Sequence, residues 1–543
     1  MNQGRSRAEH ILKALETNAT YKDWPDAITY CTDKKNISIS YEQLIYRAKR
    51  WAKALSSSAS SGDRVLIFMS AGLDFFAAFY ACLYLGAIAV PLPRPQGAGK
   101  KDALKAVIKD AMPSAVITNY DVISFDSDLR DNLVIFTVME LDSEYELLTD
   151  ITLDPDAIMV LQYTSGSTGM PKAVAIDNNN LLSNSYSIGR AFEHSANTQG
   201  LVWLPPYHDM GLVGGVIHPL VEGFRTGILC PFKFMQKPSR WLRAISELKV
   251  NTSGGPNFAF AECVKRIKNQ DIEGVDLSSW DLAFVGAEPI RYEVLHQFSE
   301  RFSSINFNRD AFFPCYGLAE ATLLVSGGPK IAALKIQEGD GKHLLDSGFT
   351  INGCSVVIVD PHCLQPVADG EEGEIWVHGN NVSRGYWNNP DASQASFNAR
   401  LLGDPKTYLR TGDNGYFVDG RLVVTGRIKD LIIIRGVNHH PEDIERSSMD
   451  AAPELWGMAN AAISVNINNE ENLILVQEVT PLSDVSSIKE KIKLIVFQVH
   501  GINLHDCIFV KQRSLPKTSS GKVKRYHTQQ LYYQSKLLTL NIG

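Results

Sequence analysis

Cysteine is sparse in this chain and never paired. Cys31, Cys82, Cys230, Cys263, Cys315, Cys354, Cys363 and Cys507 are scattered, with no CxxC among them. That pattern argues against a disulfide framework and against a zinc ribbon, and is expected of reduced thiols in a cytoplasmic protein. Positive charge is not in excess either: the formal net charge is −7, which argues against wholesale nucleic-acid binding. No leader is expected, because MNQGRSRAEH runs into a polar amphipathic stretch. Long apolar runs are rare. The one candidate, FFAAFYACLYLGAIAVPL from Phe75 to Leu92, is interrupted by Gly86 and Pro91. It reads as a buried helix, Leu73 to Leu85, followed by a buried strand, Ala87 to Leu92, so no integral membrane segment is expected. Internal repeats and low-complexity tracts do not stand out.

What is present is an ordinary globular composition. The chain has 543 residues, 44% hydrophobic and 21% charged, enough for several folding units and a core that needs no staples. Strands and helices alternate. RVLIFMS (Arg64 to Ser70) reads as a strand, Lys100 to Met112 as a helix with Leu104, Val107, Ile108 and Ala111 on one face, and SAVIT (Ser114 to Thr118) as the next strand. Near the end, Ala461 to Ile467 and Leu473 to Val476 read as strands. Val485, Ile488, Ile492, Ile495 and Val499 mark one face of a helix, and Cys507 to Val510 closes the unit. The fold class is therefore α/β, with a large N-terminal domain of several subdomains built from layered sheets and helices. A small α/β C-terminal domain follows. The boundary is placed in GRIKD, Gly426 to Asp430, giving domains of 1–428 and 429–543.

Two stretches carry phosphate-like chemistry. LQYTSGSTGMPKAV (Leu161 to Val174) has hydroxyls, glycines and a lysine after the strand Ala157 to Gln162. The spacing is not GxxxxGK[ST], Pro171 precedes Lys172, and AVAI (Ala173 to Ile176) reads as a strand rather than a helix. A P-loop is therefore excluded in favour of a strand–loop–strand turn. Successive backbone N–H groups at its tip can form an anion-binding nest, and Gly166 and Gly169 permit close approach. SLPKTSSGKVKR (Ser514 to Arg525) is the second stretch. From Lys511 onward there are Lys511, Arg513, Lys517, Lys522, Lys524, Arg525 and Lys536, without Asp or Glu. That is either a solvated face or a surface for phosphates or an acidic partner.

Between these stretches come WLPPYHDMGL, GAEPI, YGLAEAT, YLRTGD and GRIKDLIIIRG, in that order. Together the motifs resemble the adenylate-forming superfamily of acyl-CoA synthetases, peptide-synthetase adenylation domains and firefly-type luciferases, from about Ser40 to Gln529. Within it, LQYTSGST, SGGPNFAF, LSSWDLAFVGAEPI, FFPCYGLAEATLLVSGG, GEIWVHGNNVSRGYW and GRIKDLIIIRGVNHHPEDIE are most similar to fatty acyl-AMP ligases.

The resemblance implies ATP-dependent activation of a fatty acid to acyl-adenylate. Transfer to the phosphopantetheine of an acyl carrier protein, or alternatively to coenzyme A, would follow. It assigns Thr164, Ser165, Gly166, Ser167, Thr168, Gly169 and Lys172 to the β- and γ-phosphates, and Glu320, with Thr164, to Mg²⁺. Gly286, Ala287, Glu288, Tyr316 and Gly317 are assigned to adenine, Asp413 to the ribose hydroxyls, and Arg427 to ribose or phosphate. His208 borders the acyl carboxylate. Asp209, Gly254, Gly255, Pro256 and Phe258 line the acyl tunnel, with Phe260 and Cys263 as further apolar candidates. Lys522 is the catalytic lysine, carried on a mobile small domain that turns about Lys429. His439 and His440 read as a polar cap before a helix. The segment Leu323 to Ser355 is shorter than in typical acyl-AMP ligases, where an extra segment there is associated with rejection of coenzyme A. The acceptor is therefore open at this point. A nucleotide-binding scaffold without turnover is a third reading, opposed by the intact Glu320, Asp413, Arg427 and Lys522.

Overall fold

The structure is a computed structural model. It describes residues 8–93, 98–120, 133–143, 145–165, 171–288, 290–328, 336–339, 342–434, 437–467, 470–480, 484–518 and 521–540.

The apolar run at 75–92 folds as its interruptions dictate. Helix Leu73–Leu85 is buried on every side from Phe75 to Tyr84, the expected state of a helix with no polar face. Gly86 stops it in the left-handed region, φ 74°, and its N–H turns back to the carbonyls of Cys82 and Leu83. Strand Ile88–Pro91 then enters a sheet. Among the described residues no helix is long and apolar enough to cross a membrane.

That sheet has six strands, in the order Val134–Thr137, Ala115–Thr118, Arg64–Phe68, Ile88–Pro91, Ile158–Ser165 and Pro171–Asp177. All its pairs are parallel except the last. A second sheet has nine strands. Its centre is parallel and runs Phe312–Gly317, Leu282–Val285, Thr252–Gly255, Gln199–Val202, Arg225–Leu229 and Ile28–Cys31. A four-stranded antiparallel sheet, Cys354–Val359, Gly373–Gly379, Leu409–Val418 and Arg421–Arg427, leads toward the C-terminal part.

The small C-terminal domain is a three-stranded sheet, Asn460–Ile467, Glu470–Val479 and Leu504–Lys511, with its own core. Leu473 and Leu475 pack on one face with Ile444, Ile488, Ile492, Val496 and Phe509. Ile474 and Val476 pack on the other with Ala461, Ile463 and Val510. This is the period-2 alternation of a strand covered on both sides. Helix Val485–His500 buries Ile488 and Ile492 as the spacing predicts, but Val496 completes the buried face and Val499, expected on it, is exposed.

A charge network ties this domain together. Arg525, at the start of helix Arg525–Tyr533, meets Glu445 through both Nε (2.7 Å) and Nη2 (2.8 Å). Its Nη1 reaches Glu442 at 2.7 Å and Asp430 at 3.0 Å. Glu445 also accepts the Ala462 N–H at 3.0 Å, which locks helix Pro441–Met449 onto the sheet. Three carboxylates around one guanidinium are held by geometry that only the planar fork of arginine satisfies.

Specific side chains meet the large domain. Nη1 of Arg291 lies 3.1 Å from the Met449 sulfur. His440 does not cap its helix through its side chain, contrary to the polar-cap reading; its Nε2 pairs with Glu372 at 3.0 Å instead. Burial pulls the His440 imidazole down, but the Glu372 carboxylate outweighs it and the net shift is upward.

Two outcomes follow from these contacts. Arg525→Met should cost the small domain about 2–4 kcal/mol in urea unfolding, because it strands partly buried carboxylates. An effect below about 0.5 kcal/mol would show the network to be ornamental. In an NMR titration His440 should titrate above 6.5, and Glu372→Gln should move it below that value. The pair therefore holds the domains together fully below about 6.5, and its contribution fades as pH rises through the raised value.

Candidate functional site

The parallel strands of the nine-stranded sheet end along one edge, where ligands of open α/β sheets bind. Gly286, Ala287 and Glu288 follow strand Leu282–Val285, and Tyr316 and Gly317 close strand Phe312–Gly317. Gly317 is required: a Cβ there would sit 1.7 Å from the Leu323 carbonyl oxygen. Ala287 lies at φ 66°, a conformation that costs energy in any residue with a side chain.

Asp413 and Arg427 face each other across antiparallel strands. Arg427 Nε lies 3.2 Å from Asp413 Oδ1, and the Tyr316 hydroxyl donates to Oδ2 at 2.7 Å. Burial, reinforced by Asp413, pushes the Tyr316 phenol well up, so the hydroxyl keeps its proton and remains a donor. Asp413 raises the Arg427 guanidinium in turn. Each carboxylate oxygen keeps a second acceptor site, so the aspartate is oriented by the protein with acceptor capacity to spare.

Glu320 sits in a short turn, Ala319–Ala321. Burial lifts its carboxyl above the usual range, opposed by a hydrogen bond from Tyr386 Oη at 2.9 Å. The Tyr386 ring also meets Lys172, whose Nζ lies 4.9 Å from the ring centroid. Tyr386 thus joins the phosphate-loop lysine to the expected metal ligand. It was not singled out from sequence, although GEIWVHGNNVSRGYW contains it. Thr164 pairs with Lys172 across the hairpin, and its hydroxyl lies 3.4 Å from the Lys172 carbonyl. Ser165 closes the strand. Gly166, Ser167, Thr168 and Gly169 lie outside the described residues.

Lys522 reaches this edge from the small domain. Its loop is pinned by Thr518, which takes the Lys522 N–H on Oγ1 at 3.0 Å and gives its own N–H to the Lys522 carbonyl at 2.7 Å. Lys522 is exposed to solvent. Desolvation by nearby protein and Arg427 lower its ammonium, while Glu288, Asp209 and Asp413 hold it up. Lys429 lies in the turn Ile428–Asp430, between the four-stranded sheet and the small domain.

Below the edge, a largely apolar cavity, partly open to solvent, runs along the sheet. Asp209, Ala287, Tyr316 and Gly317 line it beside the groups just described; Ile188, Phe192, Met210, Phe284 and Leu323 form apolar walls. His208 caps the short helix Asp209–Leu212 through its backbone, its ring 5.0 Å from that of Tyr207.

Gly254 and Gly255, expected in a turn, end a strand instead, and neither is among the residues lining this cavity. The Phe284 ring covers Gly254 at about the position of a Cβ, and Trp203 does the same for Gly255. Pro256 and Phe258 are likewise outside the lining; Phe258 stands edge-on to Trp203, 6.2 Å between centroids. Phe260 and Cys263 are fully buried, Phe260 in an aromatic stack with Trp241, Phe298 and Phe312. Glu288, expected at the adenine, accepts the Phe258 N–H at 2.6 Å and faces Lys522 electrostatically.

The AMP-binding enzyme family model matches residues 15–387. The chain belongs to the AMP-binding enzymes. A second model, the AMP domain of Disco-interacting protein 2-like proteins, matches residues 429–541. Similar relatives include the medium-chain-fatty-acid–[acyl-carrier-protein] ligase JamA of Moorena producens, 36% identical over 95% of this chain and 93% of the relative. The corresponding ligase TtuA of Teredinibacter turnerae is 34% identical over 92% and 90%. The fatty acid AMP ligase of Legionella pneumophila superposes with a TM-score of 0.74 at 35% identity, covering 98% of this chain and 97% of that one. A structure from a study of fatty acyl-adenylate ligases of E. coli and L. pneumophila reaches 0.87 at 30% identity, covering 97% and 98%. As in other AMP-binding enzymes, an α/β large domain is followed by a smaller C-terminal one.

Tyr386→Phe in this AMP-binding enzyme removes one hydrogen bond that favours ionised Glu320. The acid limb of the adenylation rate profile should move upward by less than about one pH unit, the size of one such bond. An unmoved limb would separate Tyr386 from Glu320.

Proposed function

We propose that this protein condenses a fatty acid with ATP to give acyl-adenylate and pyrophosphate, then passes the acyl group to the phosphopantetheine thiol of an acyl carrier protein. The observation that carries this reading is the meeting of two features at one point. An apolar cavity opens beside Asp209 and Tyr316, and Lys522 arrives there from the other domain. The relatives named as fatty-acid–[acyl-carrier-protein] ligases support the same acyl donor and acceptor.

In the first step a carboxylate oxygen attacks the α-phosphorus, the acyl–phosphate bond forms, and the bond to the β-phosphate bridging oxygen breaks. No enzyme nucleophile is needed; the protein positions the reactants and neutralises spreading charge. Asp413 holds the ribose, Tyr316 and the Gly286–Ala287 backbone hold adenine, and Lys172 with the loop after Thr164 holds the departing phosphates. Lys522 bridges the carboxylate and the α-phosphate, and Arg427 adds charge nearby. In the second step the thiol attacks the acyl carbonyl carbon, AMP leaves, and the thiol proton passes to solvent. Rotation of the small domain about Lys429 withdraws Lys522 between the steps.

Glu320 suits Mg²⁺. It is a carboxylate made uncomfortable by burial, and no cluster of three or more potential metal-ligating residues occurs among the described residues. Mg²⁺ characteristically needs only one or two carboxylates plus phosphate oxygens and water. Bound there beside Thr164, it would neutralise phosphate charge.

Two features favour a carrier protein over coenzyme A. The segment from Leu323 to Ser355 holds a hairpin, Ile336–Gly339 with Lys342–Leu345, which lies against helix Tyr292–Phe302 and strand Arg421–Arg427. Lys511, Arg513, Lys517, Lys524 and Lys536 are exposed and suit an acidic partner. Arg525, counted with them from sequence, belongs to the internal network instead. Eight free cysteines fit work in the cytoplasm.

Lys522→Ala should cut acyl-hydroxamate formation by at least about 100-fold, as for loss of one preorganised charge, while ATP binding survives. Wild-type trapping by the mutant would remove Lys522 from the mechanism. Mass spectrometry of products from ATP, fatty acids and holo carrier protein or coenzyme A decides the acceptor. ATP–pyrophosphate exchange driven by fatty acid excludes a scaffold role.

A further inference from the structure

One end of the cavity carries polar side chains. Strands Gln199–Val202, Arg225–Leu229 and Thr252–Gly255 set Thr226, Gly200 and Thr252 side by side in register, and all three line the cavity. Gly200 leaves a hollow between the two threonines: a Cβ there would come 3.1 Å from the Phe224 ring and 3.4 Å from Thr226 Oγ1. Over this row stand two imidazoles. His194 Nε2 lies 3.1 Å from Thr252 Oγ1, and His194 Nδ1 lies 2.8 Å from His218 Nε2. Both histidines line the same cavity, among Phe192, Pro219, Phe224 and Phe284.

We infer that this end receives an acyl chain carrying a hydroxyl at its far terminus, read by Thr252 and held in place by His194 and His218. The inference rests on the fatty-acid-activating reading and adds the class of fatty acid.

The hydrogen-bond direction follows from the histidines. Burial drives His218 down to about 3, so it is neutral. Its Nδ1 lacks a hydrogen bond of ordinary geometry, and the Ser185 backbone supplies a weaker one that favours a proton on that side. Nε2 of His218 then accepts from His194 Nδ1–H. With His194 neutral as well, its Nε2 accepts from the Thr252 hydroxyl, and Thr252 Oγ1 keeps lone pairs for a substrate hydroxyl. A substrate hydroxyl can donate to them; a methyl terminus cannot. Placing two imidazoles and two hydroxyls against a methyl terminus would desolvate polar groups for no return.

The depth is appropriate. Thr252 is level with Leu282, one residue before the level of Phe312, and Tyr316 lies four residues beyond Phe312. Five residues at ~3.3 Å each place the row about 16 Å below the reacting end, room for an acyl chain of medium length.

The test compares plain and ω-hydroxy fatty acids of matched chain length in ATP–pyrophosphate exchange, with wild type, Thr252→Val and Thr252→Ser. Wild type should favour the hydroxy acid by at least about tenfold in kcat/KM at the best-fitting length, since the plain acid leaves a buried acceptor unpaired. Thr252→Val should lower that preference about tenfold, mainly through KM, and Thr252→Ser should retain it. A purely structural role for the histidine pair predicts equal effects of Thr252→Val on both acids, which would overturn the inference. So would a wild-type preference for plain acids at every length, with the acid-activating reading left intact. Absence of exchange with any fatty acid would overturn both.

Discussion

The guanidinium of Arg525 is the fixed point on which the rest of this site depends. Three residues after Lys522, it binds Asp430, Glu442 and Glu445 at once. Asp430 belongs to the turn that joins the domains, and Glu445 to the helix packed on the small sheet. The loop carrying Lys522 is thereby fastened to the connection about which its domain is proposed to turn. A lysine on an otherwise free loop would lose orientation; this one is fastened within its domain.

The charge arrangement at the sheet edge follows a single logic. Glu320 is destabilised by burial, Lys522 is pulled down by burial and Arg427, and Glu288, Asp209 and Asp413 push back. Burial thus disfavours the charged forms of Glu320 and Lys522. A polyphosphate with its cation would relieve them together, which is the electrostatic meaning of a site prepared for charge that arrives with the substrate. Tyr386 and Tyr316 act within this arrangement as neutral donors, each aiming one carboxylate.

The cavity shows how one sheet serves two chemistries. At the carboxyl ends of its strands, backbone and charged side chains gather where the nucleotide is proposed to bind. Along the same strands the walls become apolar, and at the amino ends they become polar again around Thr252 and His194. A small residue helps make this passage possible: Gly200 lines it, and a Cβ there would come 3.1 Å from the Phe224 ring.

Much of this was legible in the sequence. The helix at 73–85, the strands around it and the C-terminal unit follow from apolar periodicity and from Gly86, since local sterics and one-sided burial act over a few residues. Motif order singled out Asp413, Arg427, Tyr316, Glu320 and Lys522, and the structure gathers them at one edge. What the sequence could not reveal depends on residues far apart in the chain. Phe258 and Gly254 carried the right motif, yet strand register and the Phe284 ring turned them away from the cavity. Arg525 read as surface charge until its three carboxylates, as many as 95 residues away, closed around it. His194, His218 and Thr252 stand in no motif; only the alignment of three parallel strands brings them to one end of one cavity. Local pattern fixes elements because its forces are local, and the site's outer reaches were decided by which distant side chains the packed sheet places within 3 Å or so of each other.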